Sequence, residues 1–348
     1  MEEMNFDELI KNIQEETKNK LPKYDLKVIP KKSGGIRLIS IPDDFTLKVQ
    51  KEILSALNLL NLEISDAAKA FKKDTSILDN AKAHVGNKYV IRYDMRDFFD
   101  TVFVGRVKAE LEKRNVPPQF IKIISKWCIH RGHIPQGAPT SPLLSNLVCA
   151  NLDKRFMNLA KKLGAAYTRY ADDIIISGDK NVLINQSVFK RIIRTEHFFI
   201  NYQKIWISVI DAAETWTDNP DAKFFFQYHI ITGIAVDDER VFIRPYYVNQ
   251  LWQEIKSDEF AKNLKFKCHV LGKILFVYFV EPKAGIQFYK YMIKKDIALD
   301  EYQMQFIPKI FRQHLRCIKT SGSLVDSIKI FIPPLEWLKI TILNRDDI

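Results

Sequence analysis

The amino-acid sequence predicts an α+β fold in which an antiparallel sheet is backed by helices. Short apolar runs rich in β-branched and aromatic residues occur at 88–94 and on both sides of an acidic turn within 167–176. The two halves of 167–176 are joined by a tight turn, as in an antiparallel hairpin. Longer stretches between these runs carry apolar residues at helical spacing.

The apolar pattern also predicts the elements in chain order. The first predicted element is a helix at 5–20. Apolar and polar residues then alternate on both sides of a glycine turn in 26–42, which predicts a hairpin with a basic tip. The elements that follow are a helix at 45–60, a strand at 88–94, a helical stretch at 104–129 broken at Pro117-Pro118, an apolar helix at 143–160, the hairpin at 167–176, a helix at 182–199, strands at 224–236 and 241–244, and helices from Pro245 onward.

Composition narrows the class of protein. The 348 residues are 47% hydrophobic and 27% charged, which is a globular composition and excludes bulk disorder. A formal net charge of +11 favours a polyanionic partner such as nucleic acid. The 4 cysteines show neither metal-ligand spacing nor a disulfide framework. With no signal peptide or membrane-spanning stretch expected, the predicted location is the cytoplasm, without a membrane partner.

The pair Asp172-Asp173 lies in the turn of the predicted hairpin at 167–176. Two adjacent like charges are unfavourable unless a cation or solvent compensates for them. An isolated pair of this kind is usually a solvated hairpin turn. The alternative is a metal site, and the rest of the chain decides between the two.

A further acidic residue, Asp94, ends the predicted strand at 88–94. If this strand packs beside the Asp172 hairpin, three carboxylates meet and can hold two Mg²⁺ ions about 4 Å apart. Asp94 and Asp172 are the predicted bridging ligands, and the backbone carbonyl of Met95 is a further candidate. Asp173 is a third candidate, although neighbouring strand residues point to opposite faces. The nearby acids Asp97 and Asp100 are equally explained as helix-start residues.

Four motifs follow one another in the sequence. They are the basic hairpin at 29–37, the aspartate motif at 94–99, the Pro-Gln-Gly-Ala-Pro-Thr-Ser-Pro loop at 135–142 and the Tyr-Ala-Asp-Asp box at 170–173. In this order they resemble the reverse transcriptases, from about residue 28 to about residue 280. Asn80-Ala81-Lys82-Ala83-His84 and Ile231-Thr232-Gly233 are similar to elements of the bacterial retron reverse transcriptases, with Ile231 where valine is usual.

The resemblance implies roles for residues that would meet the nucleotide. Lys31 and Arg37 would bind phosphate, for which arginine is well suited, or would simply be solvated at a hairpin tip. Gln136 would contact the incoming nucleotide and its template base. Phe99 resembles a steric gate against a ribose 2′-hydroxyl, while the neighbouring Phe98 would point into the core. Lys204 resembles a basic residue near the triphosphate, in a segment where Ile205 replaces the usual threonine.

The resemblance also implies residues that would meet RNA or DNA. Asn80 and His84 would recognise the cognate RNA together with Thr232 and Gly233, although local packing or capping explains the first two equally well. Four basic residues near the C-terminus form one stripe on a predicted thumb helix, where they would follow a duplex backbone or be a solvated face: Lys309, Arg312, Arg316 and Lys319.

The resemblance implies a right-hand polymerase fold with an N-terminal helix and fingers at 1–92, a palm at 93–245 and a thumb at 246–348. The implied enzyme is an RNA-directed DNA polymerase that uses deoxynucleotides and two Mg²⁺ ions. Retron membership implies priming from a 2′-hydroxyl of a structured non-coding RNA. The product would be msDNA, a branched RNA–DNA hybrid, made for antiphage defence with a separate effector protein.

Two other hypotheses remain open. One is a defence or mobile-element reverse transcriptase with a different primer. The other is an RNA-binding scaffold whose polymerase site is inactive, against which the presence of Asp94, Asp172, Asp173, Gln136 and Arg37 argues.

Overall fold

The computed structural model describes residues 5–30, 35–210 and 228–295, and beyond these only positions 297, 299, 303, 305, 307 and 308. The chain divides into two compact units, Met1–Thr232 and Gly233–Ile348. The division into 1–92, 93–245 and 246–348 remains a prediction.

The helices and strands in the described residues are bounded as follows. The helices are α1 Phe6–Glu16, α2 Asp44–Leu59, α3 Ile77–Lys82, α4 Phe98–Thr101, α5 Val104–Lys113, α6 Pro118–Trp127, α7 Ser141–Val148, α8 Ala150–Leu163, α9 Asn181–Ile184, α10 Gln186–Thr195, α11 Pro245–Ile255, α12 Asp258–Lys262, α13 Leu264–Val280 and α14 Pro282–Lys294. The strands are β1 Tyr24–Pro30, β2 Ile36–Pro42, β3 Tyr89–Arg96, β4 Ala166–Tyr170, β5 Asp173–Gly178, β6 Phe199–Ile200, β7 Trp206–Val209, β8 His229–Ile231, β9 Ile234–Val236 and β10 Val241–Phe242.

The first unit is built around a five-stranded sheet with β3 at its centre. One edge of β3 pairs with β5, which in turn pairs with β4. The other edge pairs with β7 along its first half and with β6 at its end. Every one of these pairs is antiparallel, so the predicted antiparallel sheet is confirmed.

Helices cover this sheet because its central strands are apolar on both faces. Val90, Ile91 and Tyr93 of β3 are all buried, as is the Ile174–Ile176 run of β5. Ile91, Tyr93, Ile174 and Ile176 belong to a core shared with side chains of α1, α2 and α5 to α8. A sheet buried on both faces gives near-continuous apolar strands, which is why residues 88–94 were recognisable in the sequence.

Two helix predictions differ from the structure. The helix expected at 143–160 is two helices, α7 and α8, with Cys149 between them. The Cys149 N–H still donates to the Ser145 carbonyl at 3.1 Å, so the chain bends at this point without leaving helical hydrogen bonding. The helix expected at 182–199 ends at Thr195, because Phe199 and Ile200 pair with β3 instead. Long-range strand pairing overrides the local helical pattern here.

The N-terminal hairpin is anchored at its base. Strands β1 and β2 pair in register from Tyr24↔Pro42 to Pro30↔Ile36. The Tyr24 hydroxyl donates to the Trp127 carbonyl at 3.0 Å, and Gln50 donates to the same carbonyl at 2.8 Å. The base of the hairpin is therefore fixed to α2 and to the end of α6.

The second unit combines a small hairpin with four helices in the described residues. β9 and β10 pair antiparallel around the predicted acidic turn, where the Asp237 carboxylate accepts from the N–H groups of Glu239 and Arg240. Helices α13 and α14 pack so closely at Gly285 that a Cβ at this position would clash with the Tyr278 backbone. Trp252 stacks on Phe288 with ring centroids 4.1 Å apart.

No helix among the described residues is both long and apolar enough to cross a lipid bilayer. Cys128 and Cys149 are buried and form no disulfide. Burial raises the pKa of each thiol to about 12, which makes both thiols chemically inert near neutral pH.

His84 is a buried, neutral group beneath the sheet. Its two ring nitrogens lie 2.6 Å from Ser177 Oγ and 2.7 Å from Thr168 Oγ1, so one side chain joins β4 to β5. Burial lowers the pKa of His84 to about 3. Between about pH 6.5 and pH 3, the His84 imidazole therefore binds a proton in the unfolded chain but not in the folded chain.

We expect the free energy of unfolding to fall as the pH drops from about 6.5 toward 3, by about 2 kcal/mol at pH 5 from His84 alone. Denaturant titrations at pH 7 and pH 5 measure this difference. His84→Gln should flatten the dependence, whereas His269→Gln, at an exposed position on α13, should leave it unchanged. Equal pH dependence in wild type and His84→Gln would contradict the assignment.

Candidate active site

Three carboxylates lie at one end of the five-stranded sheet. Asp94 on β3 and Asp173, the first residue of β5, are directly paired across the two strands. Asp172 precedes Asp173 in the turn between β4 and β5. All three side chains are half-buried. The structure therefore brings together the three acids that the sequence singles out.

The acidic turn has an unusual backbone. It joins β4 to β5 through two residues, and the first, Ala171, has φ of +56°. This left-handed conformation is normally taken by glycine at the first position of a type II′ hairpin turn. The Met95 N–H donates to the Asp172 carbonyl at 2.9 Å, so the turn is tied to β3. The Asn201 N–H donates to the Asp94 carbonyl at 2.9 Å.

Positive side chains surround the three carboxylates. Lys204 Nζ lies 3.0 Å from Asp94 Oδ2, and Arg92 Nε lies 3.9 Å from Asp173 Oδ1. Burial raises the pKa of the Asp172 carboxyl and the Asp94 charge adds to the rise, while the positive charges of Lys204 and Arg37 oppose it. These cations reduce the repulsion among the three acids.

Burial dominates the pKa of Asp173. It raises that pKa to about 6, Arg92 opposes the rise, and the charges of Asp172 and Asp94 add to it. Two neighbouring carboxylates with raised pKa values favour additional positive charge at this end of the sheet.

The donor set fits a hard divalent cation. Carboxylate oxygens from Asp94, Asp172 and Asp173 are the ligands that such ions prefer. Within the described ranges, no three His, Cys, Asp or Glu side chains already stand in a metal-binding arrangement. Instead, the Lys204 ammonium lies against Asp94 and the Arg92 guanidinium against Asp173. The carboxylates thus have the chemistry for a metal, with protein cations beside two of them.

The loop that carries Gln136 lies against the N-terminal hairpin. The Ser40 N–H of β2 donates to the Gln136 carbonyl at 3.0 Å. Gln136 itself is half-buried. Arg37 and Gln136, which the sequence assigns to the same nucleotide, are therefore connected through β2.

Short helix α4 places the two phenylalanines differently. Phe98 is buried and stacks with Phe198 at a centroid distance of 5.8 Å. Phe99 is partly exposed and meets Phe98 edge to face. Asp97 is the residue immediately before α4, and Asp100 lies in its first turn, 3.4 Å from His133 Nδ1. The explanation of these two acids as helix-start residues agrees with their positions.

Asn80 and His84 require a correction, because neither side chain is exposed to a partner. Both are completely buried. His84 bonds to Thr168 and Ser177 within the sheet, while Asn80 Nδ2 donates to Thr232 Oγ1 at 3.4 Å. Thr232 Oγ1 also donates to the Ile77 carbonyl at 3.3 Å. Direct RNA contact by Asn80 or His84 is therefore incompatible with this structure.

Thr232 and Gly233 form a turn with φ of +46° and +88°. Positive φ is strained for a β-branched residue such as threonine. The hydroxyl of Thr232 bonds to α3, so the strained residue supplies a contact that glycine could not make. Five predicted residues lie outside the described residues: Lys31, Lys309, Arg312, Arg316 and Lys319.

One part of the site was missed from the sequence. Arg169, directly before Tyr170, is completely buried against Asp153 of α8. The available signal was a charged residue inside an otherwise apolar strand next to the acidic turn, since a charge at such a position must be paired.

Comparison with known proteins identifies the family. Residues 29–232 match the family described as reverse transcriptase (RNA-dependent DNA polymerase). The chain is 27% identical over 238 residues to the retron Ec86 reverse transcriptase of Escherichia coli, covering 68% of this chain and 70% of that protein. It is 29% identical over 275 residues to the retron Mx65 reverse transcriptase of Myxococcus xanthus, covering 73% and 61% respectively.

A solved structure shows the same fold. The apo telomerase of Candida tropicalis aligns with a TM-score of 0.52 at 14% identity, covering 96% of this chain and 73% of that one. At this identity the likeness concerns the fold alone, and it confirms the predicted polymerase fold. Since the family match spans more than half of the sequence, the chain belongs to the reverse transcriptases, the RNA-directed DNA polymerases, and is of the bacterial retron type.

Proposed function

We propose that the chain synthesises msDNA, a branched RNA–DNA hybrid, from a structured non-coding RNA of its own retron. The observation that carries the catalytic part is the convergence of Asp94, Asp172 and Asp173 at one end of the sheet. Family membership supports RNA-templated DNA synthesis, and the net charge of +11 supports a nucleic-acid partner.

The acidic residues have distinct proposed roles. Asp94 and Asp172 would hold two Mg²⁺ ions, with Asp173 and the Met95 carbonyl as further ligands; such ions supply Lewis-acid chemistry for phosphoryl transfer. Lys204 and Arg37 bring positive charge to the same end of the sheet, where a triphosphate carries negative charge. In the absence of nucleotide, Lys204 offsets part of the Asp94 charge.

Two further residues have proposed roles in the selection of sugar and base. Phe99 is partly exposed on α4, five positions after Asp94, and we propose that its ring excludes a ribose 2′-hydroxyl. Gln136 would contact the nucleotide from the loop held by β2. Both proposals rest on the resemblance and on the positions of these residues.

The positioning of Gln136 depends on Gly137. Gly137 has φ of +118°, and a Cβ at this position would lie 2.9 Å from Ile39 Cγ2 and 3.0 Å from the Ser40 carbonyl. Only glycine allows the loop to approach β2 this closely.

The retron-specific part is a finer proposal. We propose priming from an RNA 2′-hydroxyl, cytoplasmic action and antiphage defence with a separate effector protein, and the similarity to retron reverse transcriptases supports this proposal. Asn80, His84, Thr232 and Gly233 would act in RNA recognition indirectly. Asn80 and the Ile77 carbonyl bond to Thr232 at the turn, while His84 bonds to Thr168 and Ser177 within the sheet. The contribution of Lys31 and of the basic stripe at the C-terminus remains part of the proposal.

We expect Asp172→Asn to reduce primer extension on an RNA template by at least about a thousandfold, because a neutral amide cannot balance the charge of the metal ions. Binding of the cognate RNA should persist, since the substitution is isosteric. Single-turnover extension with deoxynucleotides and Mg²⁺, together with a filter-binding assay, measures both quantities.

Asp179→Asn is the matched control, because Asp179 is an exposed aspartate at the opposite end of β5. It should retain wild-type extension. Full activity of Asp172→Asn would contradict the catalytic assignment, and wild-type protein that binds RNA without extending any primer would favour the inactive scaffold.

We also expect Gly137→Ala to raise the Michaelis constant for deoxynucleotides and to lower kcat, because the added methyl pushes the Gln136 loop away from β2. Gly132→Ala is the control, since Gly132 also has positive φ but has open space around it. Steady-state kinetics of both variants separates backbone strain, worth about 1–3 kcal/mol, from loss of the contact. Equal kinetic effects of the two substitutions would exclude the positioning role.

The priming proposal is tested by the nucleic acid that co-purifies with the protein. We expect DNA joined to RNA, which shortens after treatment with a 2′–5′ debranching enzyme and also after ribonuclease. Co-expression with Asp172→Asn should yield RNA without DNA. DNA that is insensitive to debranching would instead indicate a reverse transcriptase with another primer.

A further inference from the structure

A buried ion pair lies next to the acidic turn. Arg169 on β4 and Asp153 on α8 are both completely buried. The guanidinium binds the carboxylate through two parallel contacts of 2.8 Å, Nε to Oδ1 and Nη2 to Oδ2. The Tyr167 hydroxyl donates to Asp153 Oδ1 at 2.7 Å. Since such a pair is often no more stabilising than apolar residues of similar volume, stability alone is a poor explanation for it.

The third nitrogen of this guanidinium reaches the turn itself. Arg169 Nη1 donates to the Ala171 carbonyl at 3.1 Å. Ala171 is the residue held at φ of +56°, a conformation that is unfavourable for alanine relative to ordinary backbone. The Asp172 carbonyl is bound separately by the Met95 N–H. Both carbonyl groups of the two-residue turn are therefore held.

The backbone of Arg169 is fixed as well. Its N–H donates to the Ala67 carbonyl and its carbonyl accepts from the Lys69 N–H, both at 2.8 Å. With its backbone held by residues 67–69 and its side chain by α8, the guanidinium has one position. The guanidinium is therefore a rigid support for the Ala171 carbonyl.

We propose that Arg169 is a positioning residue for catalysis, which holds Ala171 in its left-handed conformation and so directs Asp172 toward Asp94. Asp153 orients Arg169. The inference rests on the proposed polymerase function of the site, which it deepens. Arginine is required because its planar fork can occupy both oxygens of Asp153 and the Ala171 carbonyl together, whereas lysine presents one point charge.

The test uses the full-length chain with a neutral replacement, Asp153→Asn/Arg169→Gln. This pair retains a partner for the Tyr167 hydroxyl and leaves no buried charge, but glutamine is too short to reach the Ala171 carbonyl. We expect kcat for RNA-templated extension to fall about 10- to 100-fold, as for a small displacement of a reacting group. The KM for deoxynucleotides should change less than kcat. Arg169→Lys is a second variant that keeps the positive charge beside Asp153 and should show the same kinetic loss.

A measurement independent of activity accompanies the kinetics. Hydrogen exchange of the Met95 amide reports on its bond to the Asp172 carbonyl. It should accelerate in the double variant at an unchanged thermal midpoint. Arg155→Gln is the control, because Arg155 lies on α8 like Asp153 but belongs to a different ion pair. Its Nη1 lies 2.6 Å from Glu196 Oε1, away from the acidic turn. This variant should retain wild-type kcat and exchange.

A rescue distinguishes positioning from general support. Adding Ala171→Gly to the double variant should restore several-fold of the lost kcat, because glycine adopts positive φ without being held. Folded Asp153→Asn/Arg169→Gln or Arg169→Lys protein with wild-type kcat and wild-type exchange would overturn the proposal, as would a loss that Ala171→Gly leaves unrelieved. If the wild-type chain extends no primer, the polymerase proposal fails, while the exchange comparison still decides the role of Arg169.

Discussion

Mutual repulsion among three carboxylates is the constraint on which the rest of the site depends. Asp94, Asp172 and Asp173 are half-buried at one end of a sheet, where burial and like charge both penalise their ionised forms. The fold counters this repulsion in two ways. Lys204 and Arg92 place positive charge against two of the acids, and backbone hydrogen bonds from Met95 and Asn201 prevent the strands from separating. The proposed divalent cations would supply the positive charge that these protein groups do not.

The same constraint explains why polar groups lie deep in the first unit. The Arg169–Asp153 pair holds one side of the acidic turn, and His84 joins the two strands that flank it through Thr168 and Ser177. Asn80, on the helix preceding His84, contacts the strained Thr232. Two sequence elements separated by about 150 positions, which resemble elements of the retron reverse transcriptases, therefore meet at the contact between Asn80 and Thr232.

Much of the fold was predictable because its signals are local. The central strand, the acidic hairpin, the N-terminal hairpin and the proline break between α5 and α6 all follow from apolar spacing and turn residues. Strand β6 was not predictable, because Phe199 and Ile200 follow directly from a helical pattern and become a strand only by pairing with β3. The convergence of the acids could be inferred from motif order. The burial of His84 and the partner of Arg169 could not, since both depend on contacts across 84 and 16 positions.

We propose that Asp94 and Asp172 jointly hold the metal ions for nucleotide addition. Anomalous diffraction from crystals of the chain with RNA template, DNA primer, a non-hydrolysable deoxynucleotide and Mn²⁺ tests it most directly. We expect manganese peaks at the carboxylates of Asp94 and Asp172, with the Lys204 ammonium displaced from Asp94. A bound nucleotide with no manganese at either carboxylate, or with the Lys204–Asp94 contact intact, would contradict it.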